Sequence, residues 1–389
     1  MTWTPLLTGA DADRAREAIA GVARALREPD PAWQVGASLA NGDAGLAVFY
    51  AYLGDIDTAA ACIERAIDAA ARTPMVASLH HGYAGIAWAT EHLVGRVIAA
   101  EPGEDLNADI DVALRDALDD NYDLLTGAIG IGVYALERGP VARDLRARVV
   151  AQLAALAQRT PHGVSWLTPP ALLDPDVAAE FPRGVVNLGL AHGVPGAIAL
   201  LAACGDEPTA RELLDGAVRY LLAQRLPTGG FPDLAGVTHP ARLAWCYGDL
   251  AIASALVLAG DRAGRAEWTR AGLDLARATI PRAPETTGVR DACLCHGAAG
   301  LGLMYARLAP HAPELAAAAT RWFREALALR RPDSPVGGFE PVVNAADHVP
   351  LGDTSVGLLT GAAGVALALH AAIGSEPPAW DRVLLLSLS

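Results

Sequence analysis

Three side chains in two short stretches carry the chemistry of a metal centre. The stretch LAWCYGDL (243–250) holds Cys246, and CLCHGAAG (293–300) holds Cys295 and His296. Two thiolates and an imidazole are three good ligands for a tetrahedral zinc ion, with a fourth place open. Structural zinc sites close with four protein ligands, and three is the catalytic pattern. The spacing is not that of a C-x-x-C pair, and a buried inert thiol is the ordinary reading of any single cysteine. That ordinary reading suits Cys62 and Cys204, which lie in apolar runs. Cys293 stands two residues before Cys295 and competes with it for a metal, but in the repeat described next it is one step away from the position of Cys246.

The elements that must position these residues recur along the chain. NGDAG, HGYAG, TGAIG, HGVPG, YGDLA, HGAAG and TGAAG begin their G-x-x-G-like units at Gly42, Gly82, Gly127, Gly193, Gly248, Gly297 and Gly361, with Ala251 in the second glycine's place in the fifth. Successive first glycines stand 40 to 66 residues apart, a period that fits one helical hairpin per unit. Each unit opens an apolar run such as GLAVFYAYL or GLGLMYARL, apolar nearly all round and therefore expected to be a buried helix. Between them lie amphipathic segments such as Asp11–Glu28, Pro140–Arg159 and Pro313–Arg331, with apolar residues at three- and four-residue spacing. The fold expected is all-α: a single domain over 1–389, an α/α toroid or double barrel of seven inner and seven outer helices. Neither end carries the polar cap that an open solenoid needs. The long spacing around 162–187 is rich in Pro and Val, breaks the helical period, and fits a plain long loop almost as well as an inserted extension.

In such a ring the starts of the buried helices share one mouth, so polar residues beside the glycines converge there. They are His80 and His81, Asp123, His192, Arg242, Cys246 and Tyr247, and Cys295 and His296. A helix cap is an even alternative for Asp123, and a satisfied core histidine is the usual one for His192. His80 and His81 carry no assigned role. Composition narrows the classes further. A net charge of −14 argues against nucleic acid as a partner, and five cysteines in 389 residues point to a reducing cytoplasm rather than a disulfide framework. The chain has no Lys, which removes lysine as a catalytic base. The start has neither the basic nor the apolar region of a signal peptide, and no apolar run is long enough to span a bilayer.

WCYG followed by CHGAAG, on a chain of repeated G-x-x-G helices, resembles the lanthipeptide cyclases, the LanC-like family, in its stand-alone form. The resemblance extends over essentially the full length through YDLLTGAIG, NLGLAHGVPG, RLAWCYG, CLCHGAAGLG and the terminal WDRVLLLS. It implies the double helical barrel with a small β-containing extension near 162–187, and one zinc per chain on Cys246, Cys295 and His296. It also places Asp123, His192, Arg242 and Tyr247 in the active site. One departure is visible: members usually read WCYGxPG, whereas Asp249, Leu250 and Ala251 follow the glycine here, which bears on the helix start rather than on the ligand.

The activity implied is thioether ring closure, the addition of a peptide Cys thiolate to dehydroalanine or dehydrobutyrine in a dehydrated precursor of leader and core. A free thiol with pKa near ~8.5 is mostly protonated at neutral pH, which is why a metal is wanted. The enolate formed needs a proton: His192 is the candidate acid and Asp123 its orienting partner, Arg242 a stabiliser of the enolate charge and Tyr247 a second donor. No kinase or dehydratase region is present, so a separate dehydratase is an implied partner, as is an export complex at a membrane. Three rivals have distinct needs. A protein prenyltransferase-like enzyme also activates a peptide thiol but needs a cationic diphosphate site, for which Arg242 alone is thin. A non-catalytic helical scaffold needs no metal, and a glycosidase on a similar ring wants paired carboxylates where only Asp123 stands out.

Overall fold

The computed structural model describes residues 3–27, 33, 35–101, 103–282, 284–340 and 356–388. Among them two series of helices alternate. The amphipathic series is α1 (Gly9–Arg27), α3 (Ile56–Arg72), α5 (Ala108–Asp116), α7 (Arg143–Leu156), α9 (Pro208–Ala223), α11 (Ala266–Thr279) and α13 (Pro313–Ala328). The buried series is α2 (Asp43–Tyr52), α4 (Tyr83–Leu93), α6 (Ala128–Arg138), α8 (Val194–Ala203), α10 (Asp249–Ala263), α12 (Ala298–Leu308) and α14 (Ala362–Ile373). Every expected buried helix is present, and each starts directly after the first glycine of its unit.

The glycines explain those starts. None of the seven cap glycines offers a side chain to the orphan amides of the first turn. A carbonyl six residues before the glycine takes their place: Asp43 N donates to Gly36 O, Ala128 to Asn121, Val194 to Asn187 and Ala298 to Asp291, at 2.8–3.0 Å. The upstream strand of chain therefore lies against the helix start, too close for a side chain. A Cβ on Gly196 would sit 2.4 Å from Leu190 O. The fifth unit departs as its sequence does. Gly248 has φ +105°, where the other cap glycines are extended, and the helix still begins at Asp249. The buried carboxylate of Asp249 accepts from Phe231 N at 2.8 Å and anchors the preceding loop to the first turn.

The chain falls into two compact units. The first, residues 1–76, 80–108 and 282–380, holds repeats one, two, six and seven. In it α14 packs on α1, α2 and α12, so the last repeat meets the first. Leu6 and Leu7 amides both donate to Ala372 O, and Trp88 and Trp322 fill the core. The loops before the helices are joined in series: Cys295 N donates to Leu359 O, Leu359 N to Ala40 O, and Ala40 N to His80 O, at 2.9–3.0 Å.

The second unit, residues 77–79, 109–281 and 381–389, holds repeats three to five. Here α8 packs between α6 and α10, and the same ladder runs from Leu124 N to Ala191 O and from Ala191 N to Cys246 O. Asp111 of α5 is buried and accepts from Tyr134 Oη at 2.6 Å and the Arg138 guanidinium at 3.0 Å on α6. Removing one partner of such a buried pair costs about 3–5 kcal/mol. The Trp245 indole is anchored by Leu384 O at 2.9 Å.

The extension differs from its expected bounds. Helix α7 ends at Leu156, not at Arg159, and an antiparallel hairpin follows, β1 (Ala157–Thr160) and β2 (Gly163–Trp166). Its turn lies at residues 161–162, so β1 precedes the expected segment. A short helix, Pro175–Glu180, and a bridge between Thr168 and Val185 occupy the remainder. The inner face of β2 is fully buried against α9.

Candidate active site and metal-ligand loops

The loop before each buried helix places its chemistry-bearing residues one and two positions ahead of the first glycine. In the second unit those residues include His192, Cys246 and Tyr247; in the first they are His80, His81, Cys295 and His296.

In the second unit the structure brings Asp123 and His192 together. Nδ1 of His192 stands 2.5 Å from Asp123 Oδ2. A carboxylate only accepts, so Nδ1 carries the hydrogen and Nε2 is the nitrogen left for proton transfer. The other oxygen, Oδ1, accepts from Leu125 N at 2.6 Å and Thr126 N at 2.9 Å. The two sequence readings of Asp123, cap and catalytic partner, are thus both realised, one on each oxygen. Burial works against a charged His192, but the hydrogen bond and charge of Asp123 outweigh it. With the charges of Cys246 and Asp174 added, they hold its pKa above the ordinary imidazole value.

Tyr247 lies beside this pair, its ring centroid 5.8 Å from that of His192. Burial pushes its phenol up to about 12, so it is a neutral donor at physiological pH. Asn187 Nδ2 donates to Tyr247 Oη at 2.9 Å, which leaves the phenol proton to point elsewhere. Arg242 approaches Cys246, its Nη2 3.6 Å from Sγ of that nearly buried cysteine. A guanidinium at a cysteine sulfur is a charged donor to it.

In the first unit Cys295 and His296 are partly exposed. Asp291, Cys293 and His296 each offer one ligand atom, and these atoms lie within 4.8 Å of one another. Cys293, expected one step out of frame, therefore sits beside His296, with its Sγ accepting His296 N–H at 3.4 Å. His80 is fully buried rather than lining a mouth, whereas His81 is exposed. The donor set of thiols and imidazole fits zinc, since these are its preferred ligands and none of them is locked in a disulfide. Asp291, Asn187 and Asp174 are the residues that motif reading missed. The signal for the first two is their place, six residues before a first glycine, where the carbonyl caps the helix.

The family model of the lanthionine synthetase C-like proteins matches residues 34–385. The chain belongs to the lanthionine synthetase C-like family. Among solved structures it is similar to nisin cyclase, with a TM-score of 0.74 over 96% of this chain and 97% of that one, at 17% identity. That likeness shows the fold of the family, the α/α toroid that the seven glycine units lead one to expect. No curated protein matches the chain by sequence. No helix among the described residues is long and apolar enough to cross a membrane.

Proposed function

We propose that this member of the family is a lanthionine- and methyllanthionine-forming cyclase that acts on a dehydrated precursor peptide supplied by a separate dehydratase. The observation that carries the reading is the His192–Asp123 pair. An imidazole holds its proton above the usual pH, beside a neutral tyrosine donor, in a loop that sequence pattern ties to this chemistry.

Cys246, Cys295 and His296 would hold one zinc ion, a set supported by donor chemistry and by their matching places just before the glycines of consecutive repeats. Zinc so bound supplies acidification of a substrate thiol, so that the thiolate is present at neutral pH. The reaction forms a bond between the peptide Cys Sγ and Cβ of the dehydro residue, while the π pair moves onto Cα and the adjoining carbonyl. The His192 imidazolium, oriented by Asp123, returns a proton from Nε2 to Cα. The Tyr247 hydroxyl, its oxygen held by Asn187, donates toward the enolate oxygen as charge develops there. The Arg242 guanidinium, beside the Cys246 sulfur, would stabilise the enolate charge.

The deciding assay offers the purified protein a dehydrated, Cys-containing precursor and counts free thiols by alkylation and mass. The expected result is loss of one thiol per ring at constant peptide mass. Retention of every thiol, with zinc present, would overturn the reading. A farnesyl donor in a parallel reaction should give no mass increase.

A further inference from the structure

Three loops share a feature that has no counterpart in the metal or acid roles above. In each, the residue six before the first glycine is Asn or Asp: Asn121, Asn187 and Asp291. Its backbone carbonyl caps the buried helix. Its Oδ1 accepts the amide two residues on, Asp123 N at 3.1 Å, Gly189 N at 2.8 Å and Cys293 N at 3.0 Å respectively. The residue is thereby pinned at two points, its carbonyl and its Oδ1, and its other terminal side-chain atom faces a residue directly before a first glycine. Nδ2 of Asn121 donates to Thr126 Oγ1 at 2.9 Å, and Nδ2 of Asn187 to Tyr247 Oη at 2.9 Å. Oδ2 of Asp291 lies 3.5 Å from Nε2 of His296, an approach just beyond hydrogen-bond length. The recurrence makes this a device of the repeat: a fixed side chain whose second terminal atom is turned toward the residue at the helix start.

We propose that Asp291 is the positioning residue for His296, accepting from Nε2–H and so presenting Nδ1 as the metal-binding nitrogen. The assignment rests on the reading of His296 as a zinc ligand and adds which nitrogen binds and what fixes it. Asp291 rather than Asn stands here because the residue it faces is an imidazole. A carboxylate only accepts, so it selects the tautomer with hydrogen on Nε2, whereas an amide can also donate and selects neither. A metal-bound histidine whose outer N–H is held by a carboxylate is a more basic and better-oriented ligand. Asp291 is 3% exposed and its Oδ1 is committed to the turn, which suits an orienting partner better than a ligand. Cys293 completes the arrangement by taking the His296 backbone amide onto its sulfur.

Two measurements on the full chain, with zinc alone as the probe, test this. The first needs no variant in the wild-type arm: long-range 1H–15N spectra of zinc-loaded protein, with the His296 signal identified by its absence from His296→Gln. The expected pattern is a protonated Nε2 and a metal-bound Nδ1; a metal-bound Nε2 with a protonated Nδ1 would overturn the proposal. The second is competition with a chromophoric chelator. Asp291→Asn keeps the Oδ1 acceptor and the turn, so its circular dichroism should match wild type while its zinc Kd rises about 10- to 100-fold. An unchanged Kd would overturn the positioning role and leave the zinc reading intact. A wild-type protein without zinc affinity would overturn the zinc reading itself.

Discussion

The two compact units each set a histidine directly before a G-x-x-G helix and each give it a carboxylate, yet the two pairs are built oppositely. His192 turns Nδ1 to Asp123, which comes from a different repeat, 69 residues away, at 2.5 Å. His296 turns Nε2 to Asp291, which belongs to its own loop, at 3.5 Å. The same two residue types therefore leave opposite ring nitrogens for chemistry. A carboxylate at hydrogen-bond length, assisted by further negative charge, raises an imidazole's proton affinity and makes an acid. A looser carboxylate from the same loop, with Cys293 close by, suits a ring that is oriented as a ligand. On the proposed roles, the acid takes its partner from another repeat and the ligand takes its partner from its own loop.

The largest effect should come from the ligand side. Cys295→Ala or His296→Ala should take the metal content from one zinc per chain to none and remove cyclisation, with helical content unchanged. Elemental analysis alongside circular dichroism measures both. Full zinc occupancy in either variant would break the distinction between the two histidines.

Next is the acid side. His192→Asn should retain its zinc and lose about 10²- to 10⁴-fold in turnover, the range expected for removal of a general acid. Loss of zinc from this variant would place His192 among the ligands and erase the contrast.

A smaller effect tests how the contrast is made. The His192 pKa stands above its ordinary value, so the protonated acid persists to higher pH than an ordinary histidine, and the rate should fall only as pH rises through that elevated pKa. Asp123→Asn keeps an acceptor for the Leu125 and Thr126 amides but removes the charge. The descending limb of the pH–rate profile should move to lower pH by about one unit or more, leaving roughly a tenfold deficit near neutrality. A limb that stays in place would mean that another group supplies the proton.

Legibility followed the same division. The glycine pairs were readable because most of their members leave no room for a side chain against an upstream carbonyl, as Gly196 does against Leu190 O, and that steric demand leaves a residue-type signal. The buried and amphipathic helices followed from periodicity. The Asp123–His192 contact had no local signal, since it joins two repeats, and family resemblance alone suggested it. Asp291 and Asn187 are single polar residues in loops, where no period marks them. Their fixed distance from the first glycine becomes informative only once the carbonyl that caps the helix is seen at the same place. The resemblance implied a β-containing extension near 162–187, and its first strand lies earlier because Ala157–Thr160, which continues the run of α7, is already paired with β2.

Cys293 should give the smallest effect and discriminates most finely between the two ways of reading the His296 loop. Its ligand atom lies within 4.8 Å of those of Asp291 and His296, so on proximity alone it belongs to a metal-binding group in which Cys295 has no part. Yet its sulfur already accepts the His296 amide at 3.4 Å, and it stands four residues before the glycine, where Cys246 and Cys295 both stand two before theirs. A sulfur used to fix backbone needs only to be a weak acceptor of the right size, and a serine hydroxyl is a serviceable substitute. Cys293→Ser should therefore keep one zinc per chain and a Kd within about threefold of wild type. The expected cost is about 1 kcal/mol of stability, typical for a modest change at a buried site. Chelator competition and thermal denaturation measure the two quantities separately. Loss of zinc from a folded Cys293→Ser protein would transfer the ligand role from Cys295 to Cys293 and make Asp291 a ligand in its own right.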